Sequence, residues 1–175
     1  MDLGLTGSTA VVTGGSKGMG LAIATTFAGE GAKVAVMARG AEALDEAVAK
    51  VRVAGAPDAV GISVDMSDAE SIAAGFQTVA QRWGELNSLV HTIGPGDGYF
   101  EDLDDAQWEE TFALGTMSGV RSIRAALPML RAAEWAIRCR AEMGAGLEVP
   151  LRERPAAGPD LAAAKRREAA RHPGS

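Results

Sequence analysis

The sequence predicts an α/β domain: a parallel sheet with helices on both faces. Three observations predict it. Short apolar runs alternate with longer stretches of helical periodicity through roughly the first 130 residues. The connections between them are short. A glycine-rich turn follows the first apolar run directly. Such a βαβαβαβ rhythm covers both faces of a parallel sheet with crossover helices. Right-handed crossovers bring the carboxyl ends of the strands to one edge, where ligands bind.

The elements follow in order. Residues 10–13 read as a buried strand. Residues 21–30 read as a helix, with Ile23 and Phe27 four apart and Ala24 and Ala28 beside them. Residues 33–37 form the second strand. Residues 41–53 form an alanine-rich helix carrying Leu44, Val48 and Val51 at helical spacing. Residues 59–64 form the third strand. Asp68 then caps a helix reaching about Trp83, with Ile72, Phe76 and Val79 on its inner face. Residues 86–92 form the fourth strand, and residues 104–131 a long helical region. The rhythm stops after Trp135, and residues 137–149 contain no clear strand. Pro150, Pro155, Pro159 and Pro173 punctuate a stretch rich in Ala, Arg and Gly. The expected organisation is therefore a domain over residues 1–133 and an irregular, poorly ordered tail over 134–175.

Composition bounds the function. The 175 residues are 47% hydrophobic and 23% charged, as in an ordinary globular protein with a sizeable core. A net charge of −6 argues against a general nucleic-acid role. Of the 17 Lys+Arg and 23 Asp+Glu, 9 and 18 precede Arg138, while 8 and 5 follow from it, so an acidic domain carries a mildly basic tail. The single cysteine, Cys139, fits a reducing compartment. The first residues show neither a basic n-region nor a long apolar stretch, and no run approaches a membrane span. The expectation is a cytoplasmic protein without membrane or metal.

The run Thr13-Gly14-Gly15-Ser16-Lys17-Gly18-Met19-Gly20 places glycines where a strand turns into a helix. Gly14 permits the tight turn, Gly18 lets backbone approach a pyrophosphate, and Gly20 lets the helix pack closely. The helix N-terminus offers N–H groups and partial positive charge to phosphates. This is the fingerprint of a Rossmann-like, doubly wound dinucleotide fold, here incomplete after its fourth strand. An NAD site usually has a carboxylate at the end of the second strand, for the ribose hydroxyls. Here that strand ends Val36-Met37-Ala38-Arg39. Arg39 would attract a 2′-phosphate, and Lys17 adds a second cation, so the charges favour NADP(H), with NAD(H) the alternative. Both cations also read as ordinary solvated side chains. Asp65, directly after the third strand, suits the adenine amino group, or simply a turn.

These residues resemble the short-chain dehydrogenase/reductase family, and among it the 3-oxoacyl-acyl-carrier-protein reductase-like members. The resemblance rests on residues 13–20, on Val64-Asp65-Met66-Ser67, on residues 89–94 and on residues 108–130 with Ala125-Ala126-Leu127-Pro128. It covers residues 5–133. It implies hydride transfer between nicotinamide and a carbonyl or secondary alcohol, and a cofactor site of Thr13, Gly14, Ser16, Lys17, Gly18, Met19, Gly20, Arg39, Asp65, Met66 and Gly94. It also implies oligomerisation, homo- or hetero-, through the 104–131 helix, and a small-molecule partner.

Departures from the family matter as much. Its Asn-Asn-Ala-Gly after the fourth strand reads His91-Thr92-Ile93-Gly94, where His91 is either an acid/base or a spacer. Its helix asparagine falls on Gly115, which cannot relay a proton and weakens a helix by about 1 kcal/mol against alanine. Its catalytic Ser and Tyr-x-x-x-Lys have no clear counterpart. The only tyrosine is Tyr99, no serine lies between Ser122 and Ser175, and the nearest echo is Leu161-Ala-Ala-Ala-Lys165. The catalytic residues are therefore unassigned, the chain reads as truncated after its cofactor-binding half, and the alternative function is an inactive cofactor-binding module.

Overall fold

The computed structural model describes residues 3–94, 103–134 and 136–140. Its elements are β1 (Thr9–Thr13), α1 (Gly18–Gly29), β2 (Lys33–Ala38), α2 (Ala41–Ala54), β3 (Ala59–Ser63), α3 (Ala69–Trp83), β4 (Ser88–His91), α4 (Asp105–Phe112), a π-helical turn (Ala113–Met117), α5 (Ser118–Ala132) and β5 (Ile137–Arg140).

The five strands form one parallel sheet in the order β3-β2-β1-β4-β5. The chain winds outward one way through β2 and β3, then returns to the other side of β1 with β4. The order therefore reverses between β1 and β4, the place where open α/β sheets take ligands at the carboxyl ends of their strands.

Successive residues of a strand face opposite sides, and the core divides accordingly. Val11, Met37, Ile62 and Leu89 pack with Ile72, Phe76 and Val79 of α3 and Ala126, Met129 and Leu130 of α5. Val12, Val34, Val36 and Val90 pack on the other face with Ala24 and Ala28 of α1 and Leu44, Val48 and Val51 of α2. Asp68 caps α3 as expected, its carboxylate accepting from the N–H groups of Glu70 and Ser71 at 3.2 and 3.1 Å. Asp104 starts α4 with a reciprocal capping box to Gln107.

One expectation is corrected. Residues 137–140, where the sequence shows no clear strand, pair with β4 in parallel register, Ser88 to Ile137 through His91 to Arg140. Two arginines and a cysteine in four residues carry no local strand signal, and the ladder to β4 supplies the strand from outside. The long helical region expected over 104–131 runs from Asp105 to Ala132 and widens into a π turn at Ala113–Met117 around buried Gly115. The remainder of the expected tail, residues 141–175, lies outside the described residues.

Candidate functional site

The site is built from strand ends. Thr13 stands level with Met37 of β2 and His91 of β4, and Ala38 with Ser63 of β3. The segments following these strands therefore emerge side by side at one edge. They carry Gly14, Arg39, Asp65 and Thr92-Ile93-Gly94.

Gly14 turns with φ +74°, and its N–H donates to Met37 O at 2.8 Å. A Cβ there would lie 2.8 Å from Thr92 Oγ1, and one on Gly20 would lie 2.3 Å from Gly14 O. Only glycine fits either position, because the loop, α1 and the end of β4 are in contact. Gly18 differs: φ is +54° and a Cβ would meet nothing within 4 Å. Its left-handed backbone faces open space. Lys17, Gly18 and Met19 are exposed. No side chain caps α1, whose first turn holds no acidic residue. An open glycine turn leading into such a helix start is a fit for an anionic phosphate group.

Arg39 follows β2, and its carbonyl accepts the Ser63 hydroxyl at 3.1 Å. Asp65 is exposed. Its Oδ1 accepts the Ser67 hydroxyl at 2.7 Å and the Ser67 N–H at 2.9 Å. The Ser67 hydroxyl, then the Ser67 N–H, hold its carboxyl below the ordinary range against the opposing effect of burial, and the nearby Arg39 charge adds a lesser lowering. Arg39 and Asp65 thus belong to one charged corner. Two residues expected at the cofactor point their side chains elsewhere. Met66 is 2% exposed and joins the core, and Thr13 is fully buried.

Thr13 meets His91, which is neither spacer nor surface acid. Its ring is 2% exposed, with Nδ1 2.8 Å from Thr13 Oγ1 and Nε2 3.0 Å from Ser118 Oγ. The Ser118 hydroxyl donates to the Leu114 carbonyl, so Ser118 accepts from Nε2–H and Nδ1 accepts from Thr13. The proton position is assigned from this network. The three groups have the order of a nucleophile–base–orienter relay, but all three are buried. Ser118 carried no signal in the sequence, because its role depends on a contact 27 residues away. The Thr92 hydroxyl donates to Thr13 O at 2.6 Å. Tyr99, Leu161 and Lys165 lie outside the described residues. Among the described residues no group of three or more His, Cys, Asp or Glu is placed to hold a metal ion, and no helix is long and apolar enough to cross a membrane.

Together these features define a Rossmann-type α/β domain whose candidate site lies at the carboxyl ends of its strands. The model of the short chain dehydrogenase family matches residues 8–137. A 2,5-dichloro-2,5-cyclohexadiene-1,4-diol dehydrogenase of Sphingobium indicum is 36% identical over 129 residues, which are 72% of this chain and 50% of that protein. L-sorbose reductase from Gluconobacter frateurii, solved with NADPH and L-sorbose, superposes with a TM-score of 0.75 at 31% identity, covering 80% of this chain and 54% of that one. An NADH-dependent reductase solved with NAD superposes with a TM-score of 0.68 at 26% identity, covering 75% and 55%. The chain belongs to the short-chain dehydrogenase family. It spans about half the length of the curated relatives it matches.

Proposed function

We propose that this chain binds NADP(H) in preference to NAD(H), as the cofactor-binding part of an oxidoreductase acting on a small carbonyl or secondary alcohol. One observation carries the preference. The charge at the end of β2 is Arg39, beside an open glycine turn that carries exposed Lys17 and leads into the uncapped start of α1. Similar proteins include one solved with NADPH and one with NAD, so the cofactor is decided by this corner and not by the fold.

In this reading the backbone of residues 14–20 takes the pyrophosphate, with Ser16 and Met19 at its rim. Arg39 and Lys17 take the 2′-phosphate, Asp65 and the Met66 backbone take adenine, and Gly94 gives the rest of the dinucleotide room. Thr13 contributes by fixing the floor, since its side chain is committed to His91. The bound nicotinamide would supply or accept the hydride. A cytoplasmic location fits the single cysteine, Cys139. A homo- or hetero-oligomeric role for the 104–131 region is favoured by its exposed apolar side chains, Trp108 at 41%, Phe112 at 57% and Val120 at 36%.

Arg39→Asp tests the reading. A carboxylate there repels a 2′-phosphate and accepts from ribose hydroxyls, so the preference between NADPH and NADH should invert. An unchanged preference in Arg39→Asp would remove Arg39 from the site.

A further inference from the structure

We infer that Arg121, on α5, is a positioning residue for the adenine end of the cofactor, acting through Ser67 on Asp65. The inference rests on the NADP(H) reading above.

Asp65 sits at the exposed end of the β3 side of the site, where its carboxylate would accept from an exocyclic amine. Its two hydrogen bonds both use Oδ1, from the Ser67 hydroxyl and the Ser67 N–H. Among the described residues none is made to Oδ2, which is left to accept from a ligand. The backbone of Asp65 is held too: its N–H donates to Ser71 Oγ at 2.9 Å and its carbonyl accepts from Asp68 N–H at 3.2 Å. All of these partners lie within six residues. A turn held only by its own members moves as a unit, and so would the carboxylate.

The anchor comes from outside. Arg121 Nη1 donates to the Ser67 carbonyl at 2.8 Å, across 54 residues of chain. The Ser67 N–H, hydroxyl and carbonyl are then all engaged, two toward Asp65 and one toward α5. Helix α5 is a firm base, because Ala126, Met129 and Leu130 pack into the core with Ile72, Phe76 and Val79 of α3. Arg121 thus transmits the position of a packed helix to a surface turn. A guanidinium on a carbonyl is a charge-assisted bond, stronger than a neutral one.

The chemistry predicts a base-specific signature. Adenine offers an N6 amine to a carboxylate acceptor, whereas hypoxanthine offers a carbonyl oxygen. NADPH and its hypoxanthine analogue are therefore titrated into the wild-type chain, Arg121→Ala, Arg121→Lys and Asp65→Asn, with circular dichroism and melting recorded for each. Arg121→Ala should weaken NADPH about 3- to 10-fold, the range of one lost hydrogen bond, and leave the analogue unchanged. Arg121→Lys, which keeps a cationic donor, should recover most of the loss. Arg121→Ala added to Asp65→Asn should cause no further loss. Unchanged NADPH affinity in a folded Arg121→Ala, or equal loss for both nucleotides, overturns the inference while leaving the NADP(H) reading intact. Should Arg121→Ala fail to fold, Arg121→Lys decides: NADPH binding as weak as in Asp65→Asn overturns it. A folded wild-type chain that binds neither nucleotide overturns both.

Discussion

Asp58, between α2 and β3, collects three donors: Arg82 Nε at 2.9 Å, Arg82 Nη2 at 2.7 Å and the Trp83 indole N–H at 2.9 Å. The Arg82 bonds foremost, with the Trp83 bond and the Arg82 charge, hold its carboxyl below the usual 3.8, against an opposing effect of burial. A depressed folded value stabilises the fold above the unfolded value, and that stability disappears as pH falls through the folded one. Asp58 is one-third exposed and Arg82 more so, so solvent screening keeps the contribution to about 1 kcal/mol. Asp58→Asn should lower urea stability by that amount at pH 7, and the difference from wild type should shrink below about pH 4. A difference undiminished at pH 2.5 would contradict the assignment. At this scale much was legible in the sequence. Gly14 and Gly20 announce themselves because no other residue fits so tight a turn and so close an approach. Arg121 on Ser67 does not, because a contact across 54 residues leaves no local pattern.

His91 ties three elements together. It joins the end of β1 through Thr13 and the start of α5 through Ser118, and a Cβ on Gly119 would come within 3.4 Å of its ring. The π turn lies at this junction, where the Ser118 hydroxyl bonds back to the Leu114 carbonyl and buried Gly115 lacks a side chain. His91→Ala would leave a cavity and a buried Thr13 hydroxyl, and should cost about 2–3 kcal/mol in chemical denaturation. A loss under about 0.5 kcal/mol, the size of a typical surface substitution, would mean that the three elements are held without it. Elements with strong apolar periodicity, such as α3 and the first four strands, were legible from the chain alone. The π turn and β5 were not. The first adjoins Ser118, which meets His91 of β4, and the second is a strand only because β4 pairs with it.

At the scale of the molecule, the proposed cofactor residues lie along one sheet edge, and the sequence has no clear counterpart of the family's catalytic Ser and Tyr-x-x-x-Lys. His91 is enclosed. The 175-residue chain should therefore reduce generic 3-oxoacyl or ketone substrates at least about 10²-fold more slowly than a full-length relative at saturating NADPH, the usual worth of a general acid. Comparable rates would require an acid beyond the described residues, with Tyr99 the first to replace. Binding is a more direct test than turnover, because the glycine turn, Lys17, Arg39 and Asp65 are all present. The central claim is that these residues form an NADP(H) site. Isothermal titration of the purified chain with NADPH and with NADH should show NADPH binding at least about tenfold more tightly, the equivalent of one charge-assisted bond to the 2′-phosphate. Equal or tighter binding of NADH, or no binding of either, would contradict it.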